Sequence, residues 1–165
     1  MPDTEPTPFD QMGGAAFFTS LVHHFYAGVA SDPVLRPMYP EADLEPAERR
    51  LRLFLTQYWG GPTTYGDERG HPRLRLRHAP FAIDDDARDH WVAHMRSALD
   101  ETMREQGLDP ALEQQLWRYL VGAAIAMVNT DPPASTDSPR VDTSPSTSDS
   151  TDSPTTIATI QETPR

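Results

Sequence analysis

At 165 residues, 37% of them hydrophobic, the chain suits one domain of about 100–150 residues with extra sequence rather than two cores. Its 25 acidic residues against 14 lysines and arginines leave a formal net charge of −11, which argues against a nucleic-acid or membrane-surface partner, since phosphate binding needs a concentrated basic face. Cysteine is absent, which excludes disulfide frameworks and thiolate-held zinc, haem or iron–sulfur sites and leaves His, carboxylate, Tyr or Met to hold any metal.

Residues 1–8 are acidic and proline-rich and lack the basic start and apolar run of a secretory signal; no later segment approaches the roughly 18 apolar residues of a membrane span. A flexible N-terminus and a cytoplasmic location are expected. From residue 9 to 130 apolar residues recur at helical spacing, which predicts an all-α domain. Phe18, Leu21, Val22, Phe25, Tyr26 and Val29 form one stripe on a helix entered through Gly13-Gly14 and ending near Ala30. Asp32-Pro33 reads as an N-cap and first-turn proline opening a short helical turn with Val34, Leu35, Met38 and Tyr39, which Pro40 stops. Ala47, Leu51, Phe54, Leu55 and Tyr58 mark a third helix, opened by Pro46 and closed by Gly60-Gly61-Pro62.

Gly60 to His71 reads as a long loop, followed by a short helix from Pro72 with His78 in its last turn. Asp84 caps a helix with Ala87, Trp91, Met95, Ala98 and Leu99 inward, ending near Gly107. Asp109-Pro110 opens another carrying Leu112, Leu116, Tyr119, Leu120, Ala123, Ala124 and Met127. Four substantial helices with a structureless dozen residues do not make a simple up-down bundle, and a cofactor is one candidate for the unfilled space. Residues 131–165 are a run of Ser, Thr, Pro and Asp, with six acids against two arginines from Thr130 onward, and are expected to be a disordered tail because so little of the segment could be buried.

Taken singly, the residues that could carry chemistry have ordinary readings. His78 is a surface or capping residue, or a metal ligand beside Phe81. Tyr26, on the inward stripe, is a core tyrosine bonded to a carbonyl, or a donor facing a site; Tyr39 and Trp91 share that choice. His90 and His94 have a metal-compatible i, i+4 spacing but no intervening glutamate, and are expected on the surface. His23 and His24 point in different directions, and His71 reads as a loop residue.

Five blocks in order change the balance: Phe25-Tyr26; Leu35 to Pro40; Phe54 to Pro62; Arg69-Gly70-His71-Pro72-Arg73-Leu74-Arg75-Leu76-Arg77-His78-Ala79-Pro80-Phe81; and His90-Trp91. From about Phe9 to Asn129 the chain resembles the group II truncated haemoglobins. The resemblance implies a two-over-two helical sandwich in which an extended loop precedes the iron ligand. It implies haem b with His78 as proximal ligand. Tyr26, Tyr39 and Trp91 become distal donors, Ala47 stands where many globins carry a distal His or Gln, and Leu51, Phe54 and Leu55 line the haem.

Arg50 and Arg77 lie on the segments that would meet the propionates. The implied partners are dioxygen and other diatomic ligands, nitric oxide and carbon monoxide among them, held at high oxygen affinity. Nitric oxide dioxygenation or peroxide turnover would be a second use of the site and would require a separate reductase; oligomerisation is left open. The alternative reading is a helical interaction module without haem.

Overall fold

A computed structural model describes residues 5–130, and all regular structure among them is helical. The tail expected at 131–165, like the first four residues, lies outside the described residues. The first element is a single turn, α1 (Pro8–Gln11), which periodicity does not announce. It is made by a reciprocal cap: the Asp10 N–H donates to Thr7 Oγ1 at 3.2 Å and the Thr7 N–H to Asp10 Oδ2 at 3.0 Å. Phe9 then donates its N–H to the Trp59 carbonyl at 2.8 Å and stacks on Phe18 at 5.7 Å. Gly61 permits this approach, because a Cβ there would lie 2.8 Å from the Thr56 carbonyl and 2.9 Å from the Phe9 ring.

Four helices form the core, as the apolar stripes predict. They are α2 (Gly14–Val29), α3 (Glu45–Tyr58), α6 (Asp85–Gln106) and α7 (Pro110–Met127). Phe17, Phe18, Leu21, Val22, Phe25 and Val29 of α2 are fully enclosed, with Met95 and Leu99 of α6 and Leu116 of α7. Complete burial of such side chains is worth about 1.5–3 kcal/mol each, so this seam dominates the stability of the domain. Helix α2 packs on both α3 and α6, and α6 packs on α7.

Polar clamps close the α2–α6 seam at both ends. Ser20 and His24 meet Glu105 at one end, and Asp32, just past α2, meets His90 and His94 at the other. Because later α2 positions pair with earlier α6 positions, the two helices run antiparallel.

The Gly60–His71 stretch is where the fold departs from expectation. It is not structureless but holds α4 (Thr64–Arg69), which packs on α3. Two interactions distant in sequence make this turn: Gln57 Oε1 accepts the Gly66 N–H at 2.7 Å, and Arg49 grips Glu68 through two 2.6 Å bonds. Buried Tyr65 meets Phe54 edge-on at 5.6 Å. A turn fastened by its neighbour leaves no hydrophobic period to read. After it comes α5 (Leu74–His78), entered through Arg73 in the left-handed region at φ 43°.

Candidate functional site

The site starts from the ring of His78. Its Nδ1 lies 2.7 Å from the Leu74 carbonyl one turn earlier in α5. A carbonyl can only accept, so Nδ1 carries a proton, and in the neutral ring the lone pair lies on Nε2. The ring is half-buried, held by its own helix, and presents one σ-donor nitrogen. The other histidines are otherwise engaged. His23 and His24 pair with Glu48 and Glu105, His90 and His94 with Asp32, and the exposed His71 accepts the Arg73 N–H at its Nδ1. Among the described residues no group of three or more His, Cys, Asp or Glu is placed to chelate a metal. Among the described residues there is no ready-made metal cage, and His78 is the histidine whose ring is held by a backbone carbonyl rather than by a carboxylate or a backbone N–H.

A second group gathers around Phe25. Tyr26 meets it edge-on at 5.0 Å, Trp91 of α6 tilts against it at 5.2 Å, and Tyr39 lies edge-on to Tyr26 at 5.6 Å. Residues from α2, α6 and the corner after the 3-10 turn Arg36–Met38 thus converge on one aromatic cluster. Burial, followed by the neighbouring Tyr39 hydroxyl, raises the Tyr26 phenol far above its ordinary range, and burial likewise raises Tyr39. Both stay protonated and are donors at any physiological pH. No hydrogen bond among the described residues uses the Trp91 indole N–H. The Tyr39 corner is stapled by Arg36, whose guanidinium donates to the carbonyls of Tyr39, Glu41 and Ala42 at 3.1, 3.0 and 2.9 Å.

Helix α3 brings Ala47, Leu51, Phe54 and Leu55 to one face, as the stripe predicts. Leu51 is half-buried and Phe54 nearly covered, whereas Leu55 is 1% exposed and enclosed by protein. The two arginines differ. Arg50 pairs with the Glu41 carboxylate at 2.9 Å, while Arg77 donates to the Pro72 and Arg69 carbonyls at 2.8 Å and keeps its charge uncompensated by them.

His90 and His94 are not the surface histidines that their spacing suggests. Both are half-buried and bind Asp32 Oδ2, at 2.8 and 2.7 Å. Burial alone would raise the Asp32 carboxyl, but the hydrogen bonds from His90, the Leu35 N–H, His94 and the Val34 N–H outweigh it and hold the group far below the usual carboxylate range. His90 is raised, first by its bond to Asp32 and further by the charges of Asp32, Asp86 and Asp89, against some burial.

The stabilisation from His90 is complete below its unfolded value of about 6.5 and is lost as pH rises through the raised folded value; that from Asp32 is present above about 3.9 and lost as pH falls toward its depressed value. The melting-temperature deficit of His90→Gln relative to wild type is therefore expected to be largest at about pH 5.5 and to narrow as the pH rises past neutrality. A deficit independent of pH in thermal unfolding would contradict the pairing.

Residues 7–125 match the family model for the bacterial-like globins. The chain belongs to the group II truncated haemoglobins. It is 40% identical over 122 residues to the group 2 truncated haemoglobin YjbI of Bacillus subtilis, covering 74% of this chain and 88% of that protein. Among solved structures, the thermostable haemoglobin of Thermobifida fusca is 60% identical with a TM-score of 0.72, over 76% of this chain and 99% of that one. The truncated oxygen-avid haemoglobin of Bacillus subtilis is 40% identical with a TM-score of 0.68, over 74% and 99%. The helical order is that of the two-over-two globins, and membership implies a haem iron and diatomic ligands, which sets aside the module without haem.

The residues of this globin fit that group. A porphyrin brings four of its own nitrogens, so the protein need supply only one neutral imidazole, and the His78 tautomer leaves one ring nitrogen for that bond. The backbone around His78 is held by a residue that sequence reading passed over. Asn129, just past α7, donates through Nδ2 to the carbonyls of His78 at 3.2 Å and Phe81 at 2.9 Å, and accepts the Ile83 N–H at 2.9 Å. The Asn129 N–H returns to the Ile83 carbonyl at 2.9 Å.

A single polar residue at a helix end carries no period, and its partners lie some fifty positions away. Asn129→Leu, which removes the side-chain bonds, is expected to speed haem transfer to an acceptor apoprotein about tenfold. An unchanged transfer rate would show that the clamp does not support the ligand.

Proposed function

We propose that this globin binds oxygen tightly on a haem b held by Nε2 of His78, with Tyr26, Tyr39 and Trp91 as the donors that retain the ligand. The observation that carries the reading is the 2.7 Å bond from His78 Nδ1 to the Leu74 carbonyl, which fixes the ring and frees the other nitrogen. Bound haem supplies a ferrous iron that takes a diatomic ligand and gives it partial negative charge. The phenols stay protonated beside the ligand's place, and the indole N–H needs no deprotonation partner, so the donor set is independent of pH over the physiological range. Ala47 offers no polar group, and the polar work falls to the aromatic cluster. Leu51 and Phe54 are better placed than the enclosed Leu55 to line the haem, and Arg77 is a better propionate partner than Arg50, whose charge Glu41 already neutralises.

Support for the affinity comes from the truncated haemoglobin of Bacillus subtilis, which is oxygen-avid and 40% identical to this chain. Use of the same site for nitric oxide dioxygenation or peroxide turnover belongs to this reading, with a separate reductase restoring the ferrous state, in the cytoplasm. Stopped-flow oxygen dissociation from the haem-loaded chain tests it. Slow release that a Trp91→Phe change accelerates is expected, and fast release indifferent to the distal residues would refute the retention of oxygen by donors.

A further inference from the structure

Asp32 is the one buried carboxylate among the described residues, at 7% exposure. Such a group is costly to keep charged in a protein interior, and apolar packing would hold two helices together as well, so its retention calls for a role in placement. Its bonds show which parts it joins. Oδ1 accepts the N–H groups of Val34 at 2.9 Å and Leu35 at 2.8 Å, and the Asp32 carbonyl accepts the Arg36 N–H at 3.0 Å. Arg36 in turn staples the carbonyl of Tyr39.

Oδ2 binds His90 and His94, which stand one residue before and three after Trp91 on α6. Helix α2 is cut away for this contact: a Cβ on Gly28 would lie 2.4 Å from Nδ1 of His94. Asp86, at 3.7 Å from His90 Nε2, and Asp89 are the other charges that act on His90, both from α6 itself.

We propose that Asp32 is a positioning residue for the distal donors, its carboxylate fastening the corner that delivers Tyr39 to the helix that bears Trp91. The proposal rests on the reading that Tyr39 and Trp91 donate to the bound ligand. The Asp32 carboxylate bonds to Val34, Leu35, His90 and His94, and it acts through the two elements it joins. His90 and His94 are the hooks, and Gly28 is the space one of them occupies.

The test uses the full chain loaded with haem, and reads oxygen dissociation and the C–O stretching band of the carbon monoxide complex. Asp32→Asn and Gly28→Ala are compared with Tyr39→Phe and Trp91→Phe. Both positioning variants are expected to speed oxygen release about three- to tenfold and to move the C–O band in the direction that Trp91→Phe moves it. Haem release, governed from the His78 side, stays within about twofold of wild type. Asp32→Asn combined with Trp91→Phe is less than additive, because the two changes disturb the same donor.

If Asp32→Asn lowers the melting temperature while both ligand readouts keep their wild-type values, Asp32 is a structural group only and the proposal is overturned. Should Asp32→Asn fail to fold, Gly28→Ala decides the matter, since it displaces the His94 ring without removing any titratable group. If Tyr39→Phe and Trp91→Phe are themselves silent, the distal reading falls and this proposal with it. If they respond and the positioning variants do not, this proposal alone is refuted.

Discussion

Haem is expected to leave the His78→Gly variant on the order of a hundredfold or more faster than it leaves the wild type, and imidazole in the buffer is expected to restore most of the retention. This outcome follows from the tautomer set by the Leu74 carbonyl: with Nδ1 donating there, Nε2 is the nitrogen left for iron, and glycine opens a gap of the ring's own shape that free imidazole refills. His71→Ala is the control, because that ring is exposed and bonded to the Arg73 N–H. Haem transfer to an acceptor apoprotein measures both. Equal sensitivity of the two variants, or no rescue, would remove His78 from the iron.

Oxygen dissociation is expected to rise by about ten- to a hundredfold when either Tyr26→Phe or Trp91→Phe removes one donor, since a hydrogen bond to a charged acceptor contributes about 1.5–3 kcal/mol and every 1.4 kcal/mol is tenfold. The two changes do not add. Both rings pack against Phe25, at 5.0 Å for Tyr26 and 5.2 Å for Trp91, and on the proposed reading both would donate to one ligand, so the loss of one would let the other reorient. Tyr26→Phe keeps the ring, and Trp91→Phe keeps an aromatic ring against Phe25, so both leave far less of the cavity that an alanine would leave and isolate the lost donor more cleanly. Unchanged release in both would refute the donor network.

The parts of this account that were legible beforehand are those written as periods. The stripes from Phe18 to Val29, Ala47 to Tyr58, Ala87 to Leu99 and Leu112 to Met127 fall on the four long helices, and Asp84 and Asp109 cap α6 and α7 through the Ala87 and Ala111 N–H groups. The five blocks of resemblance led to the family, and His78, Tyr26, Tyr39 and Trp91 were singled out through it.

What escaped was written in pairs far apart. The turn α4 depends on Gln57 and Arg49, which no window centred on Gly60 to His71 contains. Asn129 reaches back to His78, and the capping box of Thr7 and Asp10 is too short to register as a helix. His90 and His94 have a spacing that says only that they share a face; that the face meets a buried Asp32, and that Gly28 makes room for it, is knowable only once α2 and α6 are together.

Whether His78 binds the iron is read most directly from the iron–imidazole stretching band in the resonance Raman spectrum of the reduced protein, with and without nitrogen-15-labelled histidine. With His78 on the iron, the band shifts with the label, disappears in His78→Gly, and returns with added imidazole. A labelled band that persists in His78→Gly and is lost on replacing another histidine would contradict it.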